Sequence, residues 1–541
     1  MLRVYKQPIT EMLINRKAIG DFTRFVRDEL MSLLCVPLIG NSPRELLQAA
    51  RTRDARNAEL IELRLDGIRG LTAQHIEQLK RGLGSRPAIA TLRPSAEGGS
   101  FSGSEAKRAT LLENIIKCEF KYIDLELSIP RNRLAGLVKL CQKRGVKCIV
   151  SHHDRSRTPS VARIFHMMKD CAAAGDIAKV AFAANSVMDT LRLIKAVKLV
   201  RKKVPRFIAI GMGGPGRLTR TLAPFLGSEI VYASLDPKRR TAPGQLTVGE
   251  LKALWAASGI DADTSPATGL YGLLGHPLGH SMSPLMHNTA FRALRINAAY
   301  MPFEVPKESL KGTVQILREI GLRGANVTIP HKEAIIPLLD GLDAPARAIG
   351  AVNTLVNKNG RLIGYNTDAI GFIGALKAAG VRLKGSSALI LGAGGAARAA
   401  VYGLLGAGAH VAVANRTRKR ALGLKRHLQA RSIDVIDLKA ASNIMAHTDL
   451  LVNCTPVGMS GFLAKSPVPS KHLHSGLAVL DMVYNPVRTP LLALAQKKGA
   501  LTIPGMEMFI RQGMESFRLW TGKSMPLDTI QRSLLRSMSE R

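Results

Sequence analysis

The chain has 541 residues, 46% hydrophobic and 22% charged, with 77 Lys+Arg against 40 Asp+Glu for a formal net charge of +37. That length predicts several domains, and the composition excludes wholesale disorder. No run of about 18 uncharged apolar residues occurs, which excludes an ordinary transmembrane helix, and the scattered cysteines form no CxxC pair, which argues against a zinc ribbon or disulfide scaffold and suits a reducing cytoplasm.

Residues 1–30 mix cations with Glu11, Asp21, Asp28 and Glu29, so neither a secretory signal nor a transit peptide fits. They are expected to be a disordered extension, or sequence preceding a true start at Met31. From 31 to about 250 short β-rich runs alternate with helical stretches. The runs are 33–39, 60–65, 88–92, 122–127, 147–151, 177–181, 207–211 and 230–234. Apolar i, i+3, i+4 spacing marks helices between most of them, as at 43–53 and 132–144. Eight buried strands with intervening helices predict a parallel (β/α)8 barrel, with a doubly wound open sheet as the alternative. Residues 251–268 read as a helix end and a linker. A second αβ series follows: 269–370, then a dinucleotide-type unit over 371–505, then C-terminal helices over 506–541 returning to the 269–370 domain.

Polar residues gather where the barrel strands end. Glu62, Arg64 and Asp66 alternate along one strand and so share a face. Arg93 ends the next, with Glu97 in the loop beyond; His152, His153 and Asp154 follow. Lys179 sits inside the apolar run DIAKVAFAA, where a charge is costly unless it has a task. Among Ile177, Val180 and Phe182 it is expected to be pushed towards the neutral, nucleophilic amine, apt for a Schiff base with a ketone. A salt-bridge network among Glu62, Arg64, Asp66 and Lys179 is the competing reading.

Taken together, ELRLD at 62–66, LRPSAEGG at 92–99, SHHD at 151–154, GDIAK at 175–179 and TAPGQ at 241–245 resemble type I 3-dehydroquinate dehydratase. The resemblance implies that Lys179 forms the imine, that His153 moves the proton, and that Glu97 orients this histidine, leaving His152 structural. It implies substrate binding by Glu62, Arg64, Arg93, Arg220, Thr241 and Gln245. Thr241 replaces the usual serine, keeping the hydroxyl but narrowing the pocket.

In the second half, LILGAGGAARAA fits G-x-G-x-x-A between a predicted strand and helix. There the backbone can approach a pyrophosphate at a helix N-terminus. About twenty residues on, where NAD sites place an acid, the chain reads Asn415-Arg416-Thr417-Arg418-Lys419-Arg420, so a 2′-phosphate is the better partner. A solvated basic helix start is the bland alternative. The segments GHPLGHSMSPLMHN, NVTIPHK, AVNT, NTD, NCTPVGM, DMVYNP and MEMFIRQGMESF are similar to shikimate dehydrogenase over 269–541. That resemblance implies an acid–base pair, Lys332 and Asp368. It assigns Ser281, Ser283, Thr328, Asn353, Tyr484 and Gln512 to the substrate. Gly392, Ala393, Gly394, Gly395, Ala396, Asn415, Arg416, Thr417, Arg420, Met482 and Gly505 fall to NADP(H). His280 and His287 are read as structural or supporting.

The expectation is a bifunctional, metal-free enzyme. It dehydrates 3-dehydroquinate and reduces the resulting 3-dehydroshikimate to shikimate with NADPH. Quinate dehydrogenase activity in the second half is the near alternative; a metabolite-sensing regulator with a degenerate site is the distant one. The cations are diffuse and aromatics make up only 4% of the chain, so no nucleic-acid partner is expected.

Overall fold

The computed structural model describes residues 32–238, 240–279, 281–430, 432–438, 440–460 and 465–539. The expected extension at 1–30 and the reading of His280 lie outside them. The chain divides into two compact units, one ending at Thr268 and the other beginning at Gly269.

The first unit is a parallel barrel. Its strands are β1 (Leu33–Leu38), β2 (Leu60–Arg64), β3 (Ala88–Thr91), β4 (Tyr122–Glu126), β5 (Lys147–Asp154), β6 (Ile177–Ala183), β7 (Phe207–Met212) and β8 (Ile230–Tyr232). Neighbours pair in the order β7-β6-β5-β4-β3-β2-β1-β8. Between β7 and β8 the ring is drawn together by Glu229 N–H donating to the Phe207 carbonyl at 2.8 Å and Ala209 N–H donating to Ser228 Oγ at 3.3 Å. Helices return the chain between strands. Several begin at a serine or threonine whose hydroxyl accepts an amide of the first turn: Ser42, Thr72, Ser104, Ser160 and Ser186.

The strand period of two sorts the barrel interior into layers. Cys35, Leu60, Ile89, Tyr122, Ile149, Ile177, Ile208 and Ile230, one from each strand, form a single apolar cluster. Two residues further on come Glu62, Thr91, Asp124, Ser151, Lys179, Ile210 and Tyr232. Two further still are Arg64, Arg93, Glu126, His153, Ala181 and Met212. An apolar floor thus carries a polar layer towards the C-terminal strand ends.

The second unit holds two six-stranded sheets. The first contains β9 (Gly269–Gly275), β10 (Ala298–Glu304), β11 (Gly324–Val327), β12 (Gly341–Leu342), β13 (Thr354–Lys358) and β14 (Arg361–Tyr365). It is mixed, with β13 antiparallel to both β11 and β14. The second is wholly parallel: β15 (Ser387–Leu391), β16 (His410–Ala414), β17 (Ile433–Ile436), β18 (Leu450–Asn453), β19 (Ala478–Asp481) and β20 (Leu501–Pro504). Its order, β17-β16-β15-β18-β19-β20, places the crevice of a dinucleotide fold at β15 and β18. Helices Gly505–Thr521 and Leu527–Ser539 then return to the mixed sheet. Phe509, Phe517, Ile530 and Leu534 bury against Tyr271, Phe291 and Tyr300 there.

Ile149 is fully buried in the barrel floor. Ile149→Ala should destabilise the barrel by about 2–5 kcal/mol, read as an earlier urea midpoint.

Candidate active sites

The polar layer of the barrel opens into a cavity. Glu62, Arg64, Arg93, Glu97, His153, Lys179, Arg220, Thr241 and Gln245 all line it. Lys179 is buried, but its surroundings differ from those expected. Val180 and Phe182 alternate to the other side of β6. The amine instead donates to Asp124 Oδ2 at 2.7 Å and to Tyr232 Oη at 3.1 Å, with Glu62 Oε1 at 3.8 Å. Its immediate partners are therefore carboxylates and a phenol, because the alternation that hides its neighbours turns Lys179 into the polar layer.

Asp124 carries most of that layer. Arg93 Nη2 lies 2.9 Å from its Oδ2, and Ser151 Oγ donates to its Oδ1 at 2.5 Å. Burial opposes its charge, but Arg93 and Lys179 outweigh burial and hold the carboxyl far below the ordinary range. Arg93 also donates to Glu126 Oε1 at 2.7 Å, and buried Arg108 pairs with the other oxygen of Glu126. Sequence reasoning missed Asp124, Glu126, Arg108 and Tyr232. The first two had a signal, since YIDLE alternates carboxylates along one face of β4. The competing network is present in part: Lys179 approaches Glu62, whereas Arg64 is taken by Asp66 through two hydrogen bonds of 2.9 and 2.8 Å.

His153 Nδ1 lies 3.1 Å from Glu97 Oε2, and the same oxygen accepts the His153 backbone amide at 3.1 Å. Ser128 Oγ donates to Glu97 Oε1 at 2.7 Å. Burial would raise the Glu97 carboxyl; hydrogen bonds from His153 and Ser128 overcome it and hold it low. Burial first, then the Arg93 charge, pushes His153 down to about 3, so the ring is neutral and has a nitrogen open to a proton. His152 faces the other way, its ring 6.1 Å from Phe182. Arg220 is 3% exposed, with its Nε and one Nη unpartnered, and burial lowers it to about 10. Gln245 Nε2 is likewise unpartnered, while its Oε1 accepts the Thr241 amide and hydroxyl at 3.0 and 3.2 Å. Among the described residues Arg220 has no carboxylate partner, and a buried guanidinium so placed can accept an anion from outside.

In the second unit, Lys332 follows β11 in a turn, and Asp368 opens the helix Asp368–Ala378. Lys332 Nζ lies 2.5 Å from Asp368 Oδ2. Asn353 Nδ2 donates to Asp368 Oδ1 at 2.9 Å, and Gln512 Oε1 lies 3.3 Å from the same nitrogen. The four predicted residues therefore meet. Ser281 and Ser283 hydroxyls are 3.3 Å apart at the start of helix Ser283–Ala293. Thr328, half-buried, sits beside Gly275, where an added Cβ would collide with its methyl. Tyr484 stacks on Phe509 at 4.6 Å. Missed here were Asn326, Thr354, Thr367 and Ser516. Their side chains interlink at 2.8–3.3 Å beneath Asn353, and each lies within a quoted motif. His287 is fully buried, stacked 4.5 Å from Tyr300.

The glycine-rich turn fits a pyrophosphate. Gly392 has φ +116°, a conformation L side chains rarely adopt. Gly394 caps helix Gly395–Gly406 with no side-chain acceptor for its first amides, and a Cβ at Gly394 would meet nothing within 4 Å. A Cβ on Gly395 would press on the Lys332 stem at 3.1 Å, which sets the lysine against the start of that helix. Asn415, Arg416, Thr417 and Arg420 follow β16, with Arg416 and Arg420 exposed. Asn415 Nδ2 donates to the Thr417 carbonyl at 2.9 Å. Gly505 admits no Cβ, which would meet the Asp481 carbonyl at 2.5 Å and Met482 at 2.8 Å.

Comparison with known proteins gives the same division. The model of type I 3-dehydroquinase matches residues 34–262. Those of the shikimate dehydrogenase substrate binding domain, shikimate / quinate 5-dehydrogenase and the shikimate 5'-dehydrogenase C-terminal domain match 273–355, 375–462 and 505–535. The shikimate dehydrogenase (NADP(+)) of Methanothermobacter thermautotrophicus is 43% identical over 280 residues, 50% of this chain and 98% of that one. A solved shikimate 5-dehydrogenase of Thermus thermophilus, with NADP(H) and shikimate, is 40% identical with a TM-score of 0.46, covering 50% of this chain and 99% of that one. A quinate dehydrogenase of Corynebacterium glutamicum in complex with NAD is 30% identical with a TM-score of 0.47, covering 50% and 99%. The chloroplastic bifunctional 3-dehydroquinate dehydratase/shikimate dehydrogenase of Arabidopsis thaliana is 33% identical over 515 residues, covering 92% of this chain and 83% of that one. With one relative spanning both units in the same order, the chain belongs to the bifunctional 3-dehydroquinate dehydratase/shikimate dehydrogenase family.

Proposed function

We propose that Lys179 and Lys332 each serve one of two consecutive reactions: dehydration of 3-dehydroquinate in the barrel, and reduction of its product to shikimate in the second unit. The reading is carried by one observation. A buried amine, a neutral imidazole braced by a carboxylate, and a guanidinium with no carboxylate partner among the described residues all face one cavity.

In the barrel Arg220 takes the substrate carboxylate, with Gln245 and Thr241 beside it. Arg64, Arg93 and Glu62 complete the set around the ring. The Lys179 ammonium gives up one proton, its amine attacks the ketone, and that proton leaves with the carbinolamine hydroxyl as water, giving a protonated imine. That cation acidifies the adjacent C–H, whose proton His153 takes. Glu97 supports the imidazolium so formed. The same proton then leaves with the β-hydroxyl as water, and hydrolysis of the imine restores Lys179 and releases 3-dehydroshikimate.

In the second unit Ser281 and Ser283 hold the carboxylate, while Thr328, Asn353, Tyr484 and Gln512 hold the ring hydroxyls. NADPH, when bound, would supply the hydride that the ketone carbon needs. Lys332, fixed by Asp368, delivers a proton to the ketone oxygen. Gly392, Ala393, Gly394, Gly395 and Ala396 would cradle the pyrophosphate, Asn415, Arg416, Thr417 and Arg420 would take the 2′-phosphate, and Met482 and Gly505 would lie on the nicotinamide side. No metal enters this reading, and neither nucleic acid nor membrane is a partner in it. Among the described residues no helix is long and apolar enough to cross a membrane. We place the enzyme in a reducing cytoplasm on its free cysteines; the Arabidopsis relative is named as chloroplastic.

Dehydroquinate with NADPH should yield shikimate in one vessel. Lys179→Ala should abolish dehydration and leave NADP-linked shikimate oxidation nearly intact; Lys332→Ala and Asp368→Ala should do the reverse. Loss of both reactions from either change in a folded protein would refute separate sites. Borohydride with dehydroquinate should add the reduced ligand's mass to Lys179.

The basic form of His153 is present above its pKa of about 3. Dehydration kcat/KM should therefore hold as pH falls through 6 and 5, where an ordinary histidine (about 6.5) would already be charged. An acid limb centred near pH 6.5 would show the ring to be unperturbed. Arg416→Ala and Arg420→Ala should each raise the KM for NADPH about tenfold or more, from charged hydrogen bonds of about 1.5–3 kcal/mol, with little change for NADH. Shikimate with NADP should turn over faster than quinate with NAD.

A further inference from the structure

We propose that Arg155 is a substrate-binding residue at the rim of the barrel cavity, drawing the carboxylate-bearing ketone inward and retaining it; this rests on the dehydratase reading. Arg155 follows His153 and Asp154 at the end of β5, is exposed, and lines the same cavity as Lys179 and Arg220. Its position is fixed from both sides. Asp154 Oδ1 accepts the Ser156 amide and hydroxyl at 2.9 and 2.6 Å and the Arg157 amide at 3.2 Å, which sets the turn. Across the mouth, its stem lies on Gly98, where a Cβ would collide with Arg155 Cδ and fall 2.7 Å from Nη1. Gly98 adjoins Glu97, so Arg155 bridges the rim between the strand carrying the base and the loop carrying the carboxylate that orients it.

The other cations of the cavity divide cleanly. Arg64, Arg93 and Lys179 each have a carboxylate within 3 Å. Among the described residues Arg155 has none, although its neighbour Arg157 reaches Asp154 at 3.8 Å. Two guanidinium groups thus remain for an anion: Arg220 inside, and Arg155 where solvent enters. A cation at the mouth of a low-dielectric pit focuses its field along the entry path, and rim charges act on capture and on its salt dependence.

Steady-state dehydration by Arg155→Ala, Arg155→Lys and the unaltered enzyme, at about 0.02 and 0.5 M salt, tests this. Arg155→Ala should lose about tenfold in kcat/KM at low salt through KM, with kcat within about twofold. That gap should close at high salt, and Arg155→Lys should stay near the parent. An unchanged KM, a loss confined to kcat, or a lysine variant as impaired as the alanine one would overturn the proposal. Borohydride labelling of Lys179 by dehydroquinate, run alongside, separates the two readings. Labelling with no Arg155 effect removes only the rim residue, whereas no labelling of the parent enzyme removes the dehydratase mechanism on which it rests.

Discussion

The barrel depends on Asp124. One fully buried carboxylate lies within 3 Å of Arg93 on one side and of Lys179 on the other. Buried charges persist only when paired and hydrogen-bonded, and this one has both. Take it away and the two cations would lose the carboxylate they share, leaving Glu62 for Lys179 and Glu97 and Glu126 for Arg93. The Lys179 amine is thus held inside an ionic lattice whose further reach, through Glu126 to Arg108, ties it to the helix Glu105–Lys117.

Much of this was legible, for a geometric reason. A parallel barrel repeats one rule on every strand, so a polar residue two or four places beyond the apolar floor must point inward. ELRLD, SHHD and GDIAK obey it, which is why Glu62, Arg64, His153 and Lys179 stood out. What escaped was pairing. Ile177, Val180 and Phe182 surround Lys179 along the chain, but contacts across the barrel come from β2, β4 and β8. Linear neighbours therefore misdescribed the environment of the amine. Arg108 was invisible for the complementary reason: it lies in a helix whose outer residues are ordinarily charged, and only tertiary packing shows it buried.

The second unit was read through motifs rather than periodicity. Lys332 and Asp368 stand 36 residues apart, and nothing in spacing alone brings them together; β11, β13 and the helix Asp368–Ala378 do. The mixed pairing of the first sheet, with the two-residue strand Gly341–Leu342 at its edge, left too short a pattern to read. The parallel sheet was clearer, since a strand, a glycine turn and a helix follow in unbroken order. The polar network under Asn353 was distributed among four segments, each carrying one member, so no single stretch displayed it.

The path of the chain through the second unit has a mechanical consequence. The nucleotide sheet is entered by helix Asp368–Ala378 and left by helix Gly505–Thr521, and these two lie so close that a Cβ on Gly371 would strike Gln512 at 2.8 Å. Asp368 and Gln512, one on each, both hold Asn353. The parallel sheet is therefore joined to the mixed one by two helices packed on each other, and both are tied through Asp368 and Gln512 to Asn353 just before β13, a double strap where a single linker would leave the two sheets independent.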